Sequence, residues 1–176
     1  MLERVVTGGQ SGSDLAGWRA ARAAGIATGG WMIGNYWTED GDRPEFAEMY
    51  GATLLPVSAK LPFAVQLRKR SEANAVMADA TLCFDLVGSK ATWNAHDDCE
   101  AQDKPFRCVL LRRDDEGRIC CSILAHEPQE IAEWIHKNGI KDLNVCGNRE
   151  SKAPGIGSFV EAYLTEVFRL LKETVR

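Results

Sequence analysis

VVTGGQSGSDLAGWRAA (Val5–Ala21) sets a β-branched pair, a glycine-rich turn and an alanine-rich helix in immediate succession. RVVT (Arg4–Thr7) reads as a short buried strand. SDLAGWRAARAAG (Ser13–Gly25) reads as a helix with a small-residue packing face at Ala16, Ala20, Ala23 and Ala24, stopped at Gly25. The turn between them is not a Walker loop, because no Lys follows Gly12. It is not GxGxxG either, because Gln10 stands in the second glycine's place. What it shares with those motifs is physics. Glycines allow close backbone approach, and unpaired N–H groups at a helix start attract a phosphate. Gly8, Gly9, Gln10, Ser11 and Gly12 are therefore candidate ligand contacts. Asp14 suits the helix dipole but repels a phosphate beside it, so a hydroxyl or a cation is its better partner. The plain alternative is a tight turn capped by Ser11 or Ser13.

The same alternation continues along the chain. GGWMI reads as a second strand, followed by a polar loop, GNYWTEDGDRPEF. ATLLPV (Ala52–Val57) is a short strand that Pro56 confines to an edge or an end. AVQLRKRSEANAVMAD has helical spacing at Val65, Leu67, Ala73, Val76 and Met77. ATLCFDLV (Ala80–Val87) is the clearest buried strand. A turn and helix follow at GSKATWNAHDDCEAQDK, then the strand FRCVLLR, and then DDEGRICCSILA, a hairpin excursion around Gly117. PQEIAEWIHKNG is an amphipathic helix with Ile131, Trp134 and Ile135 inward and Gly139 as its cap. DLNVCG (Asp142–Gly147) is a strand, and GSFVEAYLTEVFRLLKETV is the last helix. Strands separated by helices of this length predict parallel βαβ units, an α/β fold with helices on both faces of one sheet. Such sheets bind ligands at the carboxyl ends of their strands. The 176 residues fit one domain spanning 1–176, with no repeat or linker.

Composition narrows the partners. Lys+Arg number 21 against 25 Asp+Glu, a formal net charge of −4, and duplex nucleic acid needs a basic face. No stretch approaches the roughly 20 apolar residues that span a bilayer, and MLERVV does not resemble a signal peptide. The six cysteines show no CxxC pair, so no structural metal is expected. Buried thiols in a reducing cytoplasm account for them. A homo-oligomer is compatible with the sequence.

Two later turns repeat the logic of the first. Gly88, Ser89 and Thr92 end the best strand and open a helix, where a Gly–Ser cap does the same structural job as an anion site. Asn148, Arg149, Glu150, Ser151 and Lys152 follow a buried strand directly. An Arg at a strand's carboxyl end is placed to bind a phosphate or carboxylate in bidentate fashion, although an Arg149–Glu150 surface loop is common. TEDG adds Glu39 and Asp40, which suit sugar hydroxyls, a cation or acid–base work, or form a solvated Asp–Gly turn. Trp18, Trp31, Trp37 and Trp93 are stacking candidates, with core or rim packing the commoner role for each.

GGQSGSD, GGWMIGNYWTEDG, RSEANAVMADATL and LNVCGNRESKAPGI occur in an order that resembles the molybdenum carrier family, the circularly permuted YpsA-like proteins. The resemblance runs from about Val5 to Ile156. It implies a Rossmann-like fold, shared with DprA and the lonely-guy phosphoribohydrolases, whose members are thought to bind nucleotides or nucleotide-like ligands. It also implies that the late LNVCGNRE is the first strand and turn of unpermuted relatives, moved to the end. Gly8, Gly9, Gln10, Gly12 and Asp14 match the first motif. Gly29, Gly30 and Trp31 match the second strand's end, and Glu39, Asp40 and Gly41 its acidic loop. Arg70, Asn74 and Asp79 match the helix-to-strand motif. Gly147, Arg149, Glu150, Ser151, Lys152, Pro154 and Gly155 match the last. The chain departs from the pattern in two places. VGSKATW is poorer in glycine than the usual turn and is followed by Asn94, Ala95 and His96 where the phosphoribohydrolases carry a catalytic Glu. NYWTEDG lacks a preceding Cys-Pro-Lys.

The resemblance therefore implies a carrier of a phosphorylated, nucleotide-like ligand, either the molybdenum cofactor or a nucleotide. A hydrolase of a nucleotide or ADP-ribose-like compound, with Glu39, Asp40 or Asp14 as catalytic candidates, is one alternative. A ligand-binding sensor is another.

Overall fold

The structure, a computed structural model, describes residues 1–86, 91–123 and 125–173, with the side chains of 91–93 excepted. In chain order the elements are β1 (Arg4–Val6), α1 (Ser13–Ala23), β2 (Ala27–Met32), β3 (Trp37–Thr38), β4 (Gly41–Asp42), α2 (Phe46–Tyr50), β5 (Ala52–Leu54), α3 (Phe63–Met77), β6 (Ala80–Leu86), α4 (Ala91–Glu100), β7 (Phe106–Arg113), β8 (Ile119–Cys121), α5 (Pro128–Lys137), β9 (Asp142–Gly147) and α6 (Ile156–Glu173).

Seven strands form one sheet in the order β5-β2-β1-β9-β6-β7-β8. Every pairing in this sheet is parallel except β7 with β8, which form the hairpin around Gly117 that the sequence suggested. The reason is local. Gly117, at φ 78, turns the chain back after β7, and a tight hairpin can only return antiparallel. β5 is the opposite edge, where Pro56 had confined it.

β9 lies between β1 and β6. Crossovers from β1 run one way, to β2, and crossovers from β6 run the other, to β7. The last strand is thus the central one, as a circularly permuted Rossmann-like fold requires, and the crevice between β9 and β6 is where the strand order reverses.

The two sheet faces differ in chemistry. Along β6 the residues alternate between large apolar and small polar: Leu82 and Phe84 enter the main core, with Leu143 and Val145 of β9. This face is covered by α1, α5 and α6. Ile131, Trp134 and Ile135 of α5 are buried there, as their spacing predicted. The other face, under α3 and α4, presents Asn144 and Cys146 of β9, and the Asn144 amide donates to Thr81 Oγ1 at 3.1 Å. A second cluster sits at the β5 end. Trp18, fully buried, stacks on Tyr50 at 4.7 Å and meets Phe46 edge-on at 5.7 Å. Core packing is therefore the role of Trp18.

Two expectations are corrected. The segment read as a polar loop folds into the β3–β4 hairpin and α2. Strands of two residues are too short for periodicity to reveal, and α2 is fixed by Phe46 and Tyr50, four apart, closing over Trp18. In α3 the buried residues are Arg70, Asn74 and Ala75, while Val65 and Val76 are exposed. The helix turns its polar side inward because the strands beneath it offer hydrogen-bonding groups, not an apolar surface.

Candidate functional site

The first and third turns meet at the carboxyl ends of β1 and β9. The Ser13 N–H and hydroxyl both donate to the Asn148 carbonyl, at 3.2 and 3.1 Å. Glu150 N–H donates to Ser11 Oγ at 3.2 Å. Gly12 makes the contact possible: its φ is 78, and a Cβ there would lie 2.6 Å from the Asn148 carbonyl oxygen. Asn148 continues the tie to β6, accepting from Leu86 N–H at 2.7 Å and donating its own N–H to the Phe84 carbonyl at 3.1 Å. Gly88 and Ser89 lie outside the described residues, and of Thr92 only the backbone, in the first turn of α4, is described.

The anion logic of the glycine-rich turn is satisfied largely from within. Gln10 N–H donates to Asp14 Oδ2 at 3.3 Å, and the Gly8 N–H also favours the Asp14 anion. Gly9 N–H donates to Thr7 Oγ1 at 3.0 Å. Asp14 is buried, and burial pushes its carboxyl above the usual carboxylate range against the pull of Arg70. Arg70 Nη1 lies 3.5 Å from Asp14 Oδ2 and donates to the Gly8 carbonyl at 2.6 Å. Burial draws the guanidinium down from its ordinary value, yet an arginine stays charged at any physiological pH. The start of α6 is treated likewise: Glu150 accepts from the N–H groups of Gly155 and, at 2.9 Å, Gly157. Two of the helix starts at this edge are therefore served by the chain's own carboxylates.

Several expected contacts prove to be ties between elements. The Gln10 amide donates to the Trp37 carbonyl at 2.9 Å and accepts from Glu39 N–H at 3.3 Å, clamping the β3–β4 hairpin to the first turn. The Asn74 amide brackets Trp31, accepting from its N–H at 2.7 Å and donating to its carbonyl at 3.0 Å. Gly30 packs β2 against β1, since a Cβ there would fall 2.0 Å from the Thr7 carbonyl oxygen.

Glu39 accepts from the Ser11 hydroxyl and from Ser151, whose hydroxyl lies at 2.5 Å and whose N–H lies at 3.2 Å. Burial works against the Glu39 anion. The Ser11 and Ser151 bonds and the Arg149 charge outweigh it and hold the carboxyl below its usual range. A lowered carboxyl stabilises the fold above its unfolded pKa, and that contribution disappears as pH falls through the folded value. Glu39→Gln is expected to lower the melting temperature at pH 7 by an amount worth no more than about 1 kcal/mol after solvent screening. The gap from wild type should close as pH drops from about 5 towards 3, the range around an unfolded glutamate's pKa. A gap independent of pH in thermal melts would contradict this account. Asp40 is exposed at the hairpin tip, its N–H bonded to Thr38 Oγ1 at 3.2 Å.

Beneath these ties, between the carboxyl ends of β1 and β9 and the helices α3 and α4, lies a cavity of about 140 Å³. Gly8, Gln10, Asp14, Arg70, Asn74, Gly147 and Arg149 of the expected set line it. Ser71, Asn94, Asp98 and Cys146 line it as well and were missed. Asn94 and Asp98 share a face of α4 at a spacing of four, a signal that was legible in the sequence. Asp98 is held in a bidentate pair by Arg68, one bond at 2.7 Å. Arg149 rests on the Trp37 ring, 5.5 Å from its centroid, and makes Trp37 a rim residue. Among the described residues the buried Arg70 Nε has no hydrogen-bond partner. A larger open groove of about 1020 Å³ lies near the start of β7 and the end of α5, away from these turns.

The fold is that of a Rossmann-like α/β protein whose first βα unit has moved to the end of the chain. Residues 5–168 match the circularly permutated YpsA SLOG family, and the chain belongs to it. A crystal structure described as a "Putative molybdenum carrier protein" from Syntrophus aciditrophicus SB is similar in fold, with a TM-score of 0.70 and 23% identity. The match covers 97% of this chain and 94% of that one. A comparison with curated proteins finds no match. Among the described residues no helix is long and apolar enough to cross a membrane.

Proposed function

We propose that this chain binds a small anionic ligand of nucleotide type, a nucleotide or the molybdenum cofactor, in the cavity under α3 and α4 at the carboxyl ends of β1 and β9, and holds it without transforming it. The observation that carries the reading is the buried, unpartnered Arg70 Nε on the cavity wall. A buried N–H without a partner costs about 1–3 kcal/mol, and an anionic oxygen in the cavity would remove that cost. Arg149 supplies a second guanidinium at the rim. Size limits what enters: sites for drug-sized ligands enclose roughly 300–1,000 Å³. A cavity of about 140 Å³ suits the phosphate end, with the remainder of the ligand lying over Trp37 and Arg149. The name borne by the structural neighbour brings the molybdenum cofactor into the set to be tested. Six free cysteines support a cytoplasmic setting.

Holding is favoured over hydrolysis because the candidate carboxylates do not converge. Asp14 is buried against Arg70, Glu39 is saturated by serine donors, and Asp40 stands at the hairpin tip. A general base needs hydrogen-bond reach to the attacking water; Glu39 and Asp40 lie outside the cavity lining, and Asp14, which lines it, is tied to Arg70 and the turn amides. Native mass spectrometry of freshly purified protein, followed by calorimetry with the ligand found or with a panel of nucleoside monophosphates and ADP-ribose, tests the reading. Arg149→Ala is expected to weaken binding by roughly 10- to 100-fold, the loss of one charge-assisted bond, without lowering the melting temperature. Equal affinity of mutant and wild type would remove Arg149 from the site. Turnover of any panel member that disappears in Glu39→Gln or Asp40→Asn, with binding retained, would replace the carrier reading with the hydrolase.

A further inference from the structure

Three cysteines stand side by side on three adjacent strands. Cys83 of β6 is in register with Cys146 of β9 on one side and with Cys108 of β7 on the other. In-register residues of neighbouring parallel strands point to the same face, with strands about 4.8 Å apart. That spacing lies within the Cα separation a disulfide tolerates, about 4.4–6.8 Å. The outer two, two strand spacings apart, cannot bond to each other. Cys83 is fully buried between its two neighbours, and those thiols together with burial push its own thiol well above the ordinary range. All three are free thiols.

Cys108 and Cys146 are both half-buried, but Cys146 is the one that lines the cavity, with Arg70 and Arg149 on the same wall. A small oxidant entering the crevice meets Cys146 first. Cys83 lies behind it, shielded from solvent and placed as its partner. We propose that Cys146 and Cys83 are a peroxide-responsive thiol pair at the cavity floor, joined by a disulfide when a hydroperoxide reaches Cys146 through the crevice.

The chemistry balances with hydrogen peroxide as the two-electron oxidant. Cys146 sulfur attacks one peroxide oxygen, the O–O bond breaks, and a sulfenic acid forms. The departing oxygen takes the thiol proton and leaves as water. Negative charge on that departing oxygen develops beside the guanidinium of Arg70. Cys83 sulfur then attacks Cys146 sulfur, the S–O bond breaks, and the leaving hydroxyl takes the Cys83 proton as a second water. Two thiols are oxidised to one disulfide and the peroxide is reduced to two waters. The bond draws the Cys146 sulfur towards Cys83 and alters the wall on which the anion is proposed to sit.

The test uses the full chain and hydrogen peroxide alone. It needs no other ligand, so its outcome is separate from that of the binding reading. Peptide mapping of non-reduced protein after brief peroxide treatment is expected to show one Cys83–Cys146 disulfide, reversed by a dithiol reductant. In Cys83→Ser, oxidation should stop at a Cys146 sulfenic acid, trapped by dimedone. In Cys146→Ser, disulfide at Cys83 should fall to background. A wild-type map lacking the Cys83–Cys146 link overturns the proposal, whether it shows Cys83 bonded to Cys108, Cys146 over-oxidised, or all three thiols untouched.

Discussion

Replacing Arg70 with Met is expected to cost about 3–5 kcal/mol of stability at pH 7, because it leaves the Asp14 carboxylate buried without its counter-charge. For a chain of this size that lowers the melting temperature by on the order of 10 °C. Asp14 and Arg70 are both buried, and Arg70 also holds the Gly8 carbonyl, so solvent cannot take over either role. The loss should depend on pH with a definite sign. Burial already raises the Asp14 carboxyl, and removing Arg70 raises it further. A group raised in the folded state favours folding when protonated, fully so below its unfolded pKa of about 3.9, and that contribution is lost as pH rises through the folded value. Arg70→Met should therefore be most deficient at neutral pH and recover part of the gap towards pH 5. Adding Asp14→Asn should recover part of it at pH 7 and less towards pH 5, where protonation has already removed part of the stranded charge. Denaturant unfolding at pH 5 and 7 checks both. A deficit that is the same at the two pH values would mean that lost packing, not the stranded carboxylate, dominates.

Gly12→Ala is expected to cost roughly 3 kcal/mol, combining left-handed backbone strain with a clash against another turn. Gly117 is the matched control. Both glycines have φ 78, but a Cβ at Gly12 meets the Asn148 carbonyl at 2.6 Å and Glu150 N at 2.7 Å, whereas one at Gly117 meets nothing within 4 Å. Gly117→Ala should show the strain alone, about 1 kcal/mol. The difference between the two variants measures the contact that holds the first and third turns together. Equal losses in denaturant unfolding would mean that the turns move apart freely, and the site could not be regarded as preorganised.

That contact explains why the glycines of the first turn are needed even though their amides do not wait for an external phosphate. In this chain the glycine-rich turn serves close approach of backbone to backbone. Asp14 and Glu150 take the positions at two helix starts that a phosphate takes in related turns. In the proposed binding role the positive charge offered to a ligand comes from side chains, Arg70 from below and Arg149 from the rim, and discrimination should fall on the anionic end of the ligand.

The sequence by itself determined the layered architecture. Strand and helix signals alternate at βαβ spacing, and they fixed the six parallel strands, the inward face of α5 and the edge position of β5. Those properties follow from local periodicity, which each segment carries in its own residues. It also determined that the turns after β1 and β9 would share an edge, because parallel strands place all their carboxyl ends together. What it left open were facts about partners. Gln10 and Glu39 read as ligand contacts from their turns and Asn74 from the family resemblance, and Gln10 and Asn74 do line the cavity. Only the tertiary structure supplied Trp37, Trp31, Ser11 and Ser151 as their hydrogen-bond partners. The inward polar side of α3 was hidden for the same reason: hydrophobic spacing predicts a buried face only when the surface beneath is apolar, and this one is not. The alignment of Cys146, Cys83 and Cys108 depends on strand register between segments far apart in the chain, which no local pattern encodes.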